Sequence, residues 1–570
     1  MAARAGSRRG RGRERGIDPE RLRPGARGGL GPGPAFGAAR PRARRGDESA
    51  RRGRIDPRPG ALARRARGVA AGSAGGGHGP GGGGGDRGGR RSRPRALCRP
   101  DAGSRPRAGP RGIAHPPPAG GPRPAPAQPL PPVTAREGRG LRAGDVIEAV
   151  VEKGVYRGLG LARHEGQVVF IPHGLPGDRV RARVQSATSG YVTAAAEERL
   201  APGPGRRPSP CPYFPPCGGC AYQELDYPAQ LVLKEQILRE SLARAGVAWE
   251  GEIPVSGSPE QAWRTRASFH FAEGPEGARL GLYVEGTHRV VDLPQCLQVS
   301  AAMNRTQRAI RASLAEQPRW ARRVRGVELA ESSDGERLVA ALETAMAPAE
   351  AVNLAPLADL VPWLTGFGVV AGDGRQRRFH LLRGEPYVEH EVRALRLRSH
   401  VGSFFQGNRF LLAELVSTVV DLAPRGGTVL DLYAGVGLFA LALAEGADAV
   451  TGVELNPIAV EDARHNAERA GLAHVRFDQG GAHEGLASRR VAPGERIILD
   501  PPRTGAGADL VQAIAGRRPA AVVYVSCDPP TLGRDLKTFA AEGYAPDAVR
   551  ALDLFPDTFH LETVVRLVPR

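Results

Sequence analysis

From about residue 404 to the C-terminus, short β-branched runs alternate with helical stretches, and this alternation constrains the fold more than any other feature of the chain. TVLDLY (428–433), AVTGVEL (449–455), RIILD (496–500) and AVVYVSC (521–527) read as strands separated by helices. Their apolar residues run nearly continuously, as in strands buried on both faces. The pattern predicts an α/β fold with a parallel, doubly wound, Rossmann-like sheet over 401–570.

Ligands of such sheets bind outside the carboxyl ends of the strands, and each predicted strand ends there in residues that carry chemistry. After the first come AGVG (434–437) and the apolar helix LFALALAEG; Gly435 and Gly437 let the backbone turn tightly and approach a ligand at the helix N-terminus. Glu454 ends the second strand, where an acid can grip ribose hydroxyls, although a solvated acid would look the same. Asp500 ends the third, ahead of Pro501-Pro502-Arg503. The loop is not GxGxxG, and the apolar pair Leu438 and Phe439 suits S-adenosylmethionine better than a pyrophosphate. Asp431, inside the first strand, is expected to be either structural or in contact with the ligand.

The fourth strand ends in Ser526-Cys527-Asp528-Pro529. Buried cysteines usually act as small apolar fillers. Here Val522, Val523 and Val525 bury the strand and the thiol emerges where ligands bind, as a nucleophile would. Carbon 5 of uracil is too weak a nucleophile to attack a methylsulfonium unaided. A thiolate added at carbon 6 makes it one, and a base must then remove the carbon 5 proton so that the thiol can leave. Glu562, in FHLETVVRLV, starts a late apolar strand and fits that base; a surface charge is its plain alternative.

Upstream, composition divides the chain. Residues 1–140 hold 32 Arg, no Lys and 9 acidic residues, a net +23, whereas the other 430 residues carry −3. The whole-chain +20 is therefore no argument for a basic, nucleic-acid-binding body. Residues 1–140 lack apolar periodicity and are expected to be a disordered Arg/Gly/Pro-rich tail. It could attract RNA, or be GC-rich DNA translated upstream of a true start; peptides from 20–120 in the native protein would exclude the latter. Residues 141–200 read as short alternating strands split by glycine turns, an OB-like β-barrel suited to gripping RNA or serving as structure alone. Residues 201–400 form a mixed central domain with a predicted helix (PAQLVLKEQILRESLARAG) and β-like ASFHFA and RLGLYVEG.

That domain contains Cys211, Cys217, Cys220 and Cys296, four thiols that could hold zinc or an iron–sulfur cluster; spacing alone does not choose. Cys98 lies in the tail. Six cysteines in 570 residues exclude a disulfide scaffold and point to a reducing, cytoplasmic setting. No apolar run is long enough for a membrane span.

Over residues 142–570 the chain resembles the RNA 5-methyluridine methyltransferases. VYVSCDPPTLGRDL (523–536) resembles the segment around that family's nucleophile, HLETV (560–564) its base segment, and FFQGN (404–408) a segment supplying a cofactor glutamine. The resemblance implies Cys527 and Glu562 as catalytic residues and Gln406, Tyr433, Glu454 and Asp500 as contacts to S-adenosylmethionine, Asp500 also meeting the uracil edge. Two departures concern cofactor contacts: Leu438 stands where relatives often have Asn, and Gly480–Gly481 offers no side chain. The barrel with C-x5-C-x2-C and a distant fourth cysteine resembles the TRAM-domain subfamily acting on 23S rRNA. That implies a [4Fe–4S] cluster on Cys211, Cys217, Cys220 and Cys296, in a structural or RNA-positioning role. Trp263, Arg264, Arg266 and Phe269 would suit RNA backbone contact and base stacking, or a strand packed on the cluster.

The expected partner is RNA, 23S rRNA first and tRNA second, bound by a monomer with no role for DNA. Two rivals remain. In a base amino-methyltransferase, DPPR would stand for DPPY, but Cys527 and Glu562 would have no use. A non-catalytic iron–sulfur RNA-binding protein would have no reason to keep the cofactor and nucleophile set.

Overall fold

The computed structural model describes residues 140–570 except 248, 275–276 and 373–377; the expectations for the Arg-rich tail, Cys98 included, lie outside the described residues. Strands β1 (Val146–Val155), β2 (Leu159–His164), β3 (Gln167–Pro172), β4 (Arg179–Ala187) and β5 (Val192–Ala201) close into a barrel in the order β1-β2-β3-β5-β4. Alternation explains it: Ile147, Ala149 and Val151 of β1 face a core shared with Val180, Ala182 and Val184 of β4. The outward residues include arginines, but Arg179 pairs with Glu148, Arg181 with Glu198 and Arg183 with Glu197. This face is self-neutralised rather than basic.

The helix Tyr227–Arg244 begins where Asp226 accepts a hydrogen bond from the Ala229 N–H. β6 (Val255–Ser256) follows. β7 (Arg266–Gly274), β8 (Gly277–Gly281), β9 (Val324–Glu331), β10 (Leu338–Thr344), β11 (Gly366–Ala371) and β12 (Arg378–Gly384) make a central sheet of order β12-β11-β10-β9-β7-β8. β13 (Tyr387–Val392) and β14 (Leu395–His400) form a separate hairpin.

β15 (Thr428–Leu432), β16 (Ala449–Glu454), β17 (Val475–Gln479), β18 (Arg496–Leu499) and β19 (Ala521–Ser526) are parallel, and β20 (Tyr544–Leu552) and β21 (Glu562–Pro569) complete the C-terminal sheet. Its order is β17-β16-β15-β18-β19-β21-β20-β6. The order reverses at β15, which opens a crevice at the carboxyl ends of β15 and β18.

Packing does not respect a boundary at 401. Leu238 and Leu242 of the helix Tyr227–Arg244 share a core with Leu430, Ile497 and Val522, and β6 joins the edge of the C-terminal sheet beside β20. Val392 and Leu397 of the hairpin likewise enter the core on the sheet's other face. Among the described residues no helix is long and apolar enough to cross a membrane.

Candidate active site

Along the carboxyl edge of the sheet, the strand order sets out in sequence Glu454 (end of β16), the loop after β15, Asp500 (after β18), Cys527 (after β19) and Glu562 (start of β21). Neighbouring strands lie about 4.8 Å apart, so the row spans the width of a bound nucleoside and more.

The loop after β15 turns on a left-handed residue, Tyr433 at φ 68°, which is strained for a bulky side chain. Gly437 follows at φ 90° and starts the helix Leu438–Leu443; a Cβ there would stand 2.7 Å from Phe477 Cζ. The Glu454 carboxylate accepts the Gly435 N–H through Oε2 (3.0 Å) and the Asn456 N–H through Oε1 (2.7 Å), so the acid at the end of β16 shapes the glycine loop directly. Asp431 is fully buried and its Oδ2 accepts the Ala440 N–H at 2.9 Å; burial and the nearby Asp500 charge push its carboxyl well above the usual range. This bond ties the strand to the helix that follows the glycine loop, while Oδ1 is buried without a hydrogen-bond partner among the described residues. Leu438 is buried too, and Gly480 and Gly481 lie against the Glu484 carboxyl, which accepts the Gly481 N–H at 3.3 Å.

On the other side of the crevice, Gln406 donates from Nε2 to Oδ2 of Asp500 at 2.9 Å. Burial pushes Asp500 up to about 7 against that bond. β19 and β21 pair antiparallel with Ser526 opposite Thr563, which brings the next positions outward, Cys527 and Glu562, to face one another at the edge. Burial, then the Asp500 charge, hold Glu562 well above the ordinary carboxylate range, opposed by Arg503. Burial first, then the charge of Glu562, also push the Cys527 thiol up, while Arg503 pulls it down. Burial thus favours the protonated form of both groups at rest, and Arg503 is the cation that opposes this at each of them.

Cys211, Cys217, Cys220 and Cys296 line one small cavity with Phe214, Gln223 and Gln298. Two amides donate to Cys220 Sγ, Gln298 Nε2 at 2.9 Å and Gln223 Nε2 at 3.4 Å. Burial raises the Cys217, Cys220 and Cys296 thiols. Among the described residues, no three His, Cys, Asp or Glu side chains are arranged to hold a metal ion. The donor set nonetheless suits a thiolate-bound cluster: four thiols on one cavity with N–H donors aimed at sulfur.

The stacking role considered for Trp263 and Phe269 is corrected. Both are buried, Arg264 lies 4.3 Å over the Trp263 ring, and Arg266 is bound to Glu328 and the Val401 carbonyl. Phe269 packs in the core of the central sheet, Trp263 stands edge-on to Phe555, and Arg264 lies half-buried beside Cys296 and Cys220, which agrees with the alternative of a segment packed on the cysteines. The exposed aromatic at the crevice is Phe404, 68% exposed and two residues before Gln406, which the sequence reading passed over.

The open α/β sheet with its glycine loop and acid-lined crevice defines an S-adenosylmethionine-dependent methyltransferase. Residues 226–570 match the family described as tRNA (Uracil-5-)-methyltransferase, and residues 141–196 match the TRAM domain. The chain belongs to that family of RNA uracil-C5 methyltransferases. The 23S rRNA (uracil(1939)-C(5))-methyltransferase RlmD of Chromohalobacter salexigens is 35% identical over 454 residues, 77% of this chain and 94% of its own. An uncharacterized RNA methyltransferase of Aquifex aeolicus is 31% identical over 428 residues, 74% of this chain and 98% of its own. The crystal structure of Pyrococcus abyssi tRNA (uracil-54, C5)-methyltransferase with S-adenosyl-L-homocysteine superposes with a TM-score of 0.57 at 25% identity, covering 74% of this chain and 99% of that one.

Proposed function

We propose that this chain forms 5-methyluridine in 23S rRNA with Cys527 as nucleophile and Glu562 as base. The observation that carries the mechanism is the β19–β21 register, which sets Cys527 and Glu562 face to face beside Asp500. The target uridine is drawn out of its stack into the crevice. Cys527 reacts as the thiolate, its proton released to solvent, and its sulfur adds to carbon 6 as the ring's C5–C6 π bond opens and places the electron pair at carbon 5. When bound, S-adenosylmethionine supplies an electrophilic methyl group. Glu562 then takes the proton left on carbon 5, the ring double bond reforms, and the Cys527 thiolate departs. Gln406, Tyr433, Glu454 and Asp500 hold the cofactor, and Asp500 also meets the uracil edge.

Cys211, Cys217, Cys220 and Cys296 hold a [4Fe–4S] cluster that steadies the central domain and needs no part in electron transfer. Equal iron and acid-labile sulfide in anaerobically purified protein would support this. The 23S reading is favoured by the C. salexigens relative. A tRNA substrate is the second reading, favoured by the P. abyssi relative.

Incubation with 23S rRNA and tRNA transcripts and labelled S-adenosylmethionine tests both readings. Cys527→Ala is expected to give no turnover, and Glu562→Gln a methylated RNA–protein adduct that survives denaturation. Unchanged activity in Cys527→Ala would sink the mechanism.

A further inference from the structure

The barrel reaches the turn beside Cys527 through the side chain of Tyr156. Tyr156, at the tip of the β1–β2 hairpin, donates from its hydroxyl to Oδ2 of Asp528 at 2.5 Å, across 372 residues of sequence. Asp528 follows Cys527 directly and caps the helix Pro529–Ala541, its Oδ1 accepting the Thr531 N–H at 3.0 Å. Both oxygens of this carboxylate are therefore engaged. The Tyr156 ring also stands edge-on to Phe559 (centroids 5.2 Å apart) and His560 (6.4 Å), in the segment that leads into Glu562. His560 Nδ1 lies 3.3 Å from the Cys527 carbonyl oxygen.

The hairpin tip is fixed in place. Arg157 and Gly158 are left-handed (φ 74° and 72°), and a Cβ on Gly158 would stand 2.7 Å from Ala221 Cβ. Ala221 and Tyr222 in turn donate their N–H groups to the Asp557 carbonyl at 2.7 and 2.9 Å. A rigid hairpin from one domain thus grips the turn that presents the thiol in another.

We propose that Tyr156 is a positioning residue for catalysis: by holding the Asp528 carboxylate it fixes the turn that aims Cys527 and draws negative charge away from the sulfur. The barrel then completes the active site and is more than a handle for RNA. The electrostatics agree, since the Asp528 charge opposes ionisation of Cys527 and a phenol bound to that carboxylate disperses the charge. This inference rests on Cys527 being the nucleophile.

The test uses the full chain with a 23S rRNA transcript. Tyr156→Phe removes one oxygen and keeps the ring packing. Loss of a hydrogen bond to a charged group should lower kcat roughly tenfold with KM for RNA unchanged. Iodoacetamide alkylation of Cys527, read without RNA or cofactor, should slow at neutral pH, with its profile displaced to higher pH. In an Asp528→Asn background, Tyr156→Phe should cost little more, because both changes break one interaction. An unmoved alkylation profile would overturn the proposal, as would a loss confined to KM. Full additivity of the two substitutions would overturn it too. Activity persisting in Cys527→Ala would instead overturn the nucleophile assignment, whatever Tyr156→Phe does to alkylation.

Discussion

Gln406 Nε2 donates to Oδ2 of Asp500 at 2.9 Å, holding in the crevice a carboxyl whose charge opposes ionisation of both Cys527 and Glu562. Asp500→Asn keeps the shape of this group and removes its charge. Cys527 should then alkylate faster at neutral pH, with its profile moved to lower pH. Alkylation rates against pH for the two proteins check this; a profile moved upward would contradict it.

The same substitution has a separate effect on stability. Burial raises Asp500 to about 7 in the folded chain, against about 3.9 in an unfolded one. An acid raised in this way favours folding fully below its unfolded pKa, and that contribution is lost as pH rises through the folded value. Asp500→Asn should therefore be more stable than the native protein at about pH 8, by up to about 4 kcal/mol less the loss of the Gln406 hydrogen bond to a charged oxygen. The advantage should disappear below about pH 4. Urea melts at the two pH values decide the matter.

Gly437 combines a left-handed backbone with contact to Phe477. Gly437→Ala should destabilise the glycine loop by about 1–3 kcal/mol. It should weaken S-adenosylmethionine binding in calorimetry while leaving Cys527 alkylation unchanged. Equal loss of both would place the damage beyond the loop.

Lys234 and Asp553 form a buried ion pair at 2.7 Å, 1% and 0% exposed, and Lys234 also donates to the Phe555 carbonyl at 3.0 Å. Lys234→Met leaves the buried Asp553 carboxylate without its cation, held only by neutral donors such as the Phe555 N–H, and should cost about 3–5 kcal/mol. Lys234→Met with Asp553→Leu should recover part of that. Denaturant midpoints of both variants are the measurement.

Phe404 has its ring in solvent, so Phe404→Ala should leave the melting temperature almost unmoved. If the ring stacks on the extruded base, kcat/KM for RNA should fall on the order of tenfold. Steady-state kinetics against RNA concentration provide the check.

Much of the C-terminal sheet was legible because its strands carry continuous β-branched runs; the four expected strands end within a residue or two of β15, β16, β18 and β19. β17 (VRFDQ) was missed because only Val475 and Phe477 are buried on that edge strand. β20 was missed because Pro546 and a register shift interrupt its pattern. The helix Tyr227–Arg244 was legible as a helix. Amphipathicity tells that a face is covered but not by what, so its place on the C-terminal sheet was invisible. Trp263 was left between two readings, stacking on RNA or packing inside, because an aromatic beside an arginine reads alike in a core and at an RNA surface; burial decides for packing. Glu454 was placed correctly at its strand end, but its bond to the Gly435 N–H depends on β15 and β16 being neighbours.

The ion pairs on the barrel bear on how RNA affinity should respond to salt. Counterions leave a nucleic acid only as free cations replace them. Arg179, Arg181 and Arg183 already spend their charge on Glu148, Glu198 and Glu197. Residues 140–570 should therefore show a shallow dependence of RNA affinity on ionic strength, and selectivity should come from the shape of the RNA and the ease of unstacking its target base.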